Sequence, residues 1–192
     1  MRHFQLIDEG VYVAPVLREL AEHPELWDQN TQRKIAPGTP HAQMSDIWVR
    51  YDALPFGPAD KPHVPVNYPA WDALPSLKPI VFDLMARVEG EMLGGVLITK
   101  IPPGCGIEPH TDEGWHVEYY EKFYLSLQST PGAKFGCAHR GDREELEPET
   151  GDIWLFDNRK VHWVVNDSDQ DRITCIICIR TDKFGRKPLQ EI

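Results

Sequence analysis

Two histidines and one aspartate are spaced along this chain as the ligands of a metal ion could be. His110 and Asp112 stand two residues apart in the stretch Pro109-His110-Thr111-Asp112. On an extended strand, residues two apart point to the same face. His162 follows fifty residues after Asp112, just beyond the apolar run Ile153-Trp154-Leu155-Phe156. Two histidines and one carboxylate form a facial triad, which leaves positions on Fe(II) open. We therefore predict that His110, Asp112 and His162 hold iron at a catalytic centre.

An arginine lies ten residues after the second histidine, at the start of another apolar run. In a barrel, that spacing brings Arg172 back beside the metal. Its planar guanidinium suits a carboxylate bound through two hydrogen bonds, which predicts an organic acid as co-substrate. The alternative is that His110 and His162 are hydrogen-bonded surface or core residues, with Asp112 capping a turn.

The second half of the chain has the pattern of a mainly β fold. From residue 95 onward, short runs of β-branched and aromatic residues alternate with turn signals. The predicted strands lie near residues 95–101, 107–112, 122–129, 133–139, 152–157, 162–166 and 172–180. Such a series after a single clear helix indicates a barrel or jelly roll buttressed by helices.

The first half of the chain is less regular. An apolar stripe predicts a helix over residues 76–92, with Ser76 as a candidate N-cap. The other predictions are a short helix over 16–22, a loop over 29–46, a strand over 47–51 and a proline-rich loop over 52–70 that could be a lid. We predict one domain, 1–192, in which residues 1–92 form a helical and loop support and residues 93–182 the catalytic core.

Composition narrows the possible partners and location. The net charge of −10, with scattered Lys and Arg, disfavours a nucleic acid. No apolar run is long enough for a membrane span, and the N-terminus reaches acidic residues too early for a secretory signal, so we expect a cytoplasmic protein. A small molecule or a peptide is the expected substrate. Cys175 and Cys178 lie three apart on a predicted strand, so they point to opposite faces and cannot chelate one ion together.

A series of short motifs follows in a fixed order along the second half of the chain. They are Pro102-Pro103-Gly104, Glu108-Pro109-His110-Thr111-Asp112, Lys122-Phe123-Tyr124-Leu125-Ser126-Leu127, Gly151-Asp152-Ile153-Trp154-Leu155-Phe156-Asp157-Asn158, Val161-His162-Trp163, Asn166-Asp167-Ser168 and Arg172-Ile173. The run from Gly95 to Asp182 that contains them resembles the core of Fe(II)/2-oxoglutarate-dependent oxygenases. It is most similar to their aspartyl/asparaginyl β-hydroxylase branch. The resemblance implies a double-stranded β-helix fold.

The resemblance also implies roles for particular residues. His110, Asp112 and His162 match the iron ligands of the family. Arg172 and Thr99 match the residues that bind the distal carboxylate of 2-oxoglutarate. Lys122 and Tyr124 stand where the branch usually has an Arg-X-His pair that contacts the co-substrate, and neither is identical to the residue of that pair.

The implied activity is that of a dioxygenase using Fe(II), 2-oxoglutarate and O2. Its expected reaction is hydroxylation of an unactivated C–H bond in an Asp- or Asn-like amino acid or peptide residue. The alternative is a metal-binding protein of cupin type that is not an oxygenase and does not need Arg172.

Overall fold

The computed structural model of the protein describes residues 3–58 and 60–181. In this part of the chain, strands dominate. They are β1 (Phe4–Asp8), β2 (Ser45–Asp52), β3 (Pro65–Asn67), β4 (Met92–Ile101), β5 (Gly106–His110), β6 (Glu121–Gln128), β7 (Ala133–His139), β8 (Asp142–Leu146), β9 (Ile153–Phe156), β10 (Val161–Asn166) and β11 (Arg172–Arg180). The helices are α1 (Ala14–Glu22), α2 (Gln32–Ile35), α3 (Ala70–Ala73), α4 (Leu77–Arg87) and α5 (Trp115–Tyr119), with a 3-10 turn at Pro24–Leu26.

The strands form two antiparallel sheets that pack face to face. The larger sheet has the order β1-β9-β6-β11-β4-β2-β3, and the smaller has the order β5-β10-β7-β8. Side chains from both sheets meet in one apolar cluster, where Tyr124 and Phe156 of the larger sheet contact Phe135 of the smaller. Strands β4 to β11 thus form the two four-stranded halves of a jelly roll. The predicted mainly β, double-stranded β-helix fold is confirmed.

Strand β11 separates the core from a cavity by simple alternation. Ile173, Cys175 and Ile177 face the larger apolar core. Arg172, Thr174 and Ile176 face the opposite way and line a cavity between the sheets. This alternation follows from the two-residue period of a strand. It directs the polar side chains of Arg172 and Thr174 into the space between the two sheets. Cys178 is only partly buried, on the face opposite Cys175, as predicted.

The helices cover the outer face of the larger sheet. Val16 and Leu20 of α1 and Leu77, Val81 and Leu84 of α4 are buried in the core beneath them. Ser76 stands at the N-cap position of α4, but its side chain does not cap the helix. Its hydroxyl donates to Glu19 of α1 instead. Ser76 thus occupies the predicted N-cap position without making a side-chain capping hydrogen bond.

Three strands (β1, β3 and β8) and three short helices (α2, α3 and α5) were not predicted from the sequence. Strand β1 pairs with β9, and β8 pairs with β7 at the edge of the smaller sheet. Strand β3 lies within the 52–70 segment, and the short helix α2 lies within 29–46, so neither segment is entirely a loop.

Residues 1–92 therefore contribute strands to the larger sheet as well as helices. The single-domain division stays a prediction, and residue 182, its predicted core boundary, lies outside the described residues. The lid role of 52–70 also stays a prediction. In the structure, His63 of that segment stacks on His116 of α5, with 5.0 Å between ring centroids. No helix among the described residues is long and apolar enough to cross a membrane.

Candidate active site

The two predicted histidine ligands are paired across neighbouring strands. His110 ends β5, and His162 is the second residue of β10, directly opposite it in the antiparallel register. Their ring centroids lie 4.3 Å apart. The pairing of β5 with β10 in the smaller sheet thus brings together two histidines that are far apart in the sequence.

Both imidazoles are held in the same tautomer by backbone carbonyl groups. Nδ1 of His110 lies 2.8 Å from the carbonyl oxygen of Glu108, and Nδ1 of His162 lies 2.9 Å from that of Lys160. Because a carbonyl oxygen can only accept, each Nδ1 carries the proton and each Nε2 keeps its lone pair. Burial, above all, lowers the pKa of His162 to about 4, so this ring is neutral near pH 7. An outer hydrogen bond of this kind orients histidines that bind metals.

Asp112 lies in the loop after β5 rather than on the strand, which corrects the expectation that it shares a strand face with His110. Its backbone N–H donates to the carbonyl oxygen of Asn158 at 3.0 Å. One carboxylate oxygen, Oδ2, accepts hydrogen bonds from the Nδ2 of Asn158 at 2.8 Å and from Lys122. The position of Asp112 is therefore fixed by contacts from two other elements, not by strand geometry.

The other carboxylate oxygen of Asp112, Oδ1, points to both histidines. It lies 3.5 Å from Nε2 of His110 and 4.0 Å from Nε2 of His162. Burial alone would raise the pKa of Asp112, but the charge of Lys122 and the adjacent hydrogen bonds hold that pKa well below its usual value. The carboxylate is therefore ionised at neutral pH.

Three atoms with lone pairs thus converge within 4.8 Å of one another. Lone pairs that face each other repel unless a cation lies between them. A donor set of two imidazole nitrogens and one carboxylate oxygen is the one that non-haem Fe(II) takes in a facial triad. The residues present therefore fit the implied metal.

A second charged group lies in the same cavity. Arg172 is only 2% exposed, and its guanidinium donates to the hydroxyl of Tyr124. It makes no ion pair with a carboxylate of the described residues, and its Nε has no hydrogen-bond partner among them. Burial raises the pKa of Tyr124 to about 12 against the opposing charge of Arg172, so the phenol is neutral. A buried cation without a counter-ion is costly, and a bound anion would remove that cost.

Two threonines lie beside the arginine. Thr99 on β4 and Thr174 on β11 are directly paired across the larger sheet, and their hydroxyl oxygens are 2.7 Å apart. Both line the cavity, and both are buried. Arg172, Tyr124 and these hydroxyl groups make up a compact set of hydrogen-bond donors for a carboxylate.

The structure brings all seven predicted site residues to one cavity. They are Thr99, His110, Asp112, Lys122, Tyr124, His162 and Arg172. The apolar wall between them includes Phe135 and Phe156, which also belong to the core between the sheets. Lys122 pairs with Asp112, so it contacts the proposed metal ligand directly.

Several residues of the cavity and its supports were missed from the sequence. Arg33, His41 and Met44 line it from the segment that was predicted to be a loop. Asn158, which binds Asp112, was given no role of its own in the sequence analysis. No periodic signal marks these positions, because each reaches the site through a contact between segments far apart in the sequence.

Comparison with solved structures finds the same jelly-roll fold in proteins of low sequence identity. An oxidoreductase of the 2OG-Fe(II) oxygenase family from Burkholderia pseudomallei is 17% identical, with a TM-score of 0.55 over 85% of this chain and 78% of that one. A Trichoplax adhaerens prolyl hydroxylase, solved with a hypoxia inducible factor peptide, is 12% identical, with a TM-score of 0.63 over 94% and 84%. A Pseudomonas putida prolyl-4-hydroxylase is 14% identical, with a TM-score of 0.58 over 93% and 94%.

The sequence itself defines the family. A sequence model described as Aspartyl/Asparaginyl beta-hydroxylase matches residues 67–181, which is more than half of the chain. The chain therefore belongs to the aspartyl/asparaginyl beta-hydroxylase family. No curated protein sequence matches it.

Proposed function

We propose that this protein is an Fe(II)/2-oxoglutarate-dependent dioxygenase that hydroxylates an unactivated C–H bond of an Asp- or Asn-like amino acid or peptide residue. The observation that carries the proposal is the buried Arg172, which has no carboxylate partner among the described residues and lies in the same cavity as the three converging donor atoms. A site that only held a metal would not need this cation. A site that also held a dicarboxylic acid would need it.

The proposed roles follow from the contacts of each residue. His110, His162 and Oδ1 of Asp112 would hold Fe(II). Asn158 and Lys122 hold Oδ2, so that Oδ1 stays directed at the histidines. Bound Fe(II), with 2-oxoglutarate and O2, would supply the oxidising chemistry that the side chains of the protein lack.

The far end of the cavity would bind the co-substrate. Arg172 would pair with the distal carboxylate of 2-oxoglutarate, and the Thr99 hydroxyl would donate a second hydrogen bond to it. Tyr124 orients the guanidinium through its hydroxyl. Phe135 and Phe156 exclude water from the space between the two ends, which strengthens each of these electrostatic contacts.

The substrate in this proposal is a small molecule or a peptide residue. The family name favours an aspartyl or asparaginyl target, and the Trichoplax adhaerens neighbour was solved with a peptide. The net charge of −10 gives no support for a nucleic acid substrate. A cytoplasmic location is part of the same proposal.

The first test removes the cation. Arg172→Ala should raise the Kd for 2-oxoglutarate by about 100-fold or more, because a buried charge-assisted pair is lost. Iron binding should persist, because Arg172 is not one of the three donors. The measurement is an anaerobic titration of the iron-loaded protein with 2-oxoglutarate, in which the visible absorption band of the complex is recorded at each addition. Arg180→Ala is the matched control, since Arg180 lies on the same strand but pairs with Glu91 outside the cavity. Equal affinity in the Arg172 variant and the parent would support the cupin alternative.

The second test removes a ligand. His162→Ala should abolish both high-affinity iron binding and 2-oxoglutarate turnover, because two donors remain where three are needed. His139→Ala, at an exposed histidine, is the control and should retain both. Iron content by elemental analysis and succinate formation measure the two effects. Full turnover in the His162 variant would rule out the triad.

A further inference from the structure

A third cation lines the cavity, and it comes from outside the part of the chain that the family model matches. Arg33 belongs to the short helix α2, whereas the matched range begins at residue 67. It lines the cavity together with His41 and Met44. This wall is therefore a contribution of the N-terminal segment of this chain.

Arg33 is held in place by a buried carboxylate. Its Nη1 donates to Oδ2 of Asp46 at 3.0 Å, and the side chain of Asp46 is 0% exposed. The backbone N–H of Asp46 is itself fixed by Asp28 at 3.1 Å. Asp46 thus occupies one edge of the guanidinium and fixes its orientation. A guanidinium carries five N–H donors, and the contact with Asp46 takes only part of that capacity.

The side of this guanidinium that does not contact Asp46 lies close to the candidate metal centre. Its Nη2 is 3.5 Å from Nε2 of His41, and the His41 ring meets His110 edge-on, with 5.4 Å between centroids. One imidazole therefore separates Arg33 from a proposed iron ligand.

The carboxylate of the cavity lining cannot satisfy Arg33. Asp112 is the acidic side chain of that lining, and it is already bound by Lys122 and Asn158. Arg172, at the co-substrate end, has a different set of neighbours. The cavity thus holds two separate guanidinium groups, which suits two separate anions.

A purely structural role for Arg33 would be to tie α2 to β2 through Asp46. That role accounts for the ion pair. It does not account for a guanidinium in the wall of the cavity, where an apolar side chain would cost less to bury. A preformed guanidinium in a cavity of this kind is a specific receptor for a carboxylate.

We propose that Arg33 binds a carboxylate of the substrate, so that the protein hydroxylates a carboxylate-bearing molecule positioned by its own N-terminal segment. The inference rests on the proposed function and specifies its substrate class. The carboxylate has two chemical sources, which are the α-carboxylate of a free amino acid and the side chain of an aspartyl residue in a peptide. If the α-carboxylate is bound, free aspartate and free asparagine should both bind. If the aspartyl side chain is bound, replacing it with asparagine should remove the affinity.

The test measures binding of a defined panel to the protein loaded with Fe(II) and 2-oxoglutarate under anaerobic conditions. The panel consists of the free L-amino acids and two tripeptides, Gly-Asp-Gly and Gly-Asn-Gly, blocked at both ends. Isothermal titration calorimetry gives the Kd, and aerobic incubation followed by mass spectrometry detects the gain of one oxygen atom. Binding of free aspartate and free asparagine alike indicates the α-carboxylate. Binding of the aspartyl but not the asparaginyl tripeptide indicates the side chain.

Arg33→Gln should raise the Kd of the carboxylate ligand by about tenfold or more. Lys34→Gln is the matched control, because it removes the same charge from the same helix at a residue that pairs with Asp28 and does not line the cavity. The double variant Arg33→Gln with Asp46→Asn removes the guanidinium without leaving a buried carboxylate unpaired. It should show the same loss if Arg33→Gln alone folds poorly.

Two results would overturn the inference. One is equal carboxylate affinity in the parent and both Arg33 variants, and the other is no binding of any panel member to the loaded parent. In either case, 2-oxoglutarate binding and turnover by the parent would leave the Fe(II)/2-oxoglutarate-dependent dioxygenase activity of the proposed function intact. Failure of the parent to bind 2-oxoglutarate would instead overturn the proposed function, and the inference with it.

Discussion

At the scale of single residues, the two oxygens of one carboxylate have different tasks. Oδ2 of Asp112 is engaged by Asn158 and Lys122, while Oδ1 is directed at the two histidines. The spacing of His110, Asp112 and His162, together with the resemblance to a known family, predicted which residues meet. It could not predict Asn158, because the hydrogen bond to Asp112 spans two loops and leaves no pattern in the sequence.

Asn158 is expected to position the carboxylate without binding the metal. Asn158→Ala should weaken iron binding by about tenfold or more, because loss of an outer hydrogen bond lets Asp112 rotate. A competition assay with a metal-sensitive dye measures the affinity. Asn67→Ala, at an exposed residue of β3, should leave it unchanged. Iron affinity equal to that of the parent would mean that Lys122 alone fixes the carboxylate.

At the scale of elements, strand alternation explains why much of the site could be predicted. In β6, Lys122 and Tyr124 face the cavity while Phe123 and Leu125 face the core, as they must with a two-residue period. Strand β8, in contrast, reads Asp142-Arg143-Glu144-Glu145-Leu146 and lies at a sheet edge. Its polar composition suits solvent, and only pairing with β7 makes it a strand.

The contact between α1 and α4 gives a test at this scale. The carboxylate of Glu19 accepts a hydrogen bond from the backbone N–H of Ser76 at 3.2 Å and another from the Ser76 hydroxyl at 2.5 Å. Both polar hydrogens of the residue that precedes α4 thus have an acceptor. Glu19→Ala should lower the free energy of unfolding by about 1 kcal/mol, as loss of a helix cap does. Urea unfolding measures this change. Glu22→Ala, at an exposed position of the same helix, should change it by less than about 0.5 kcal/mol. Equal unfolding midpoints for the two variants would contradict the capping role.

At the scale of the whole molecule, the structure buries several histidines in the neutral state. Burial, above all, lowers the pKa of His41 to about 3 and that of His116 and His162 to about 4. In the unfolded chain these groups bind protons near pH 6.5. Between about pH 6.5 and 4 the unfolded state therefore binds more protons than the folded state, and stability falls as the pH falls.

The metal-free protein should thus have a lower urea midpoint at about pH 5 than at about pH 7. Each buried histidine contributes at most about 1.4 kcal/mol per pH unit within that window. His41→Gln should reduce the pH dependence, because Gln does not titrate. His139→Gln should not, because His139 is exposed. The same slope in the parent and the His41 variant would show that His41 is not buried neutral in the folded state.

The two aromatic rings in the cavity wall, Phe135 and Phe156, also pack against each other in the core between the sheets, with ring centroids 4.8 Å apart. A mutation of either phenylalanine would therefore change both the shape of the cavity and the stability of the jelly roll. Arg33 also lines the cavity, from the N-terminal segment, and is not part of that apolar cluster. A substitution at Arg33 can therefore change what the cavity binds without altering the packing between the two sheets, whereas a substitution at Phe135 or Phe156 cannot.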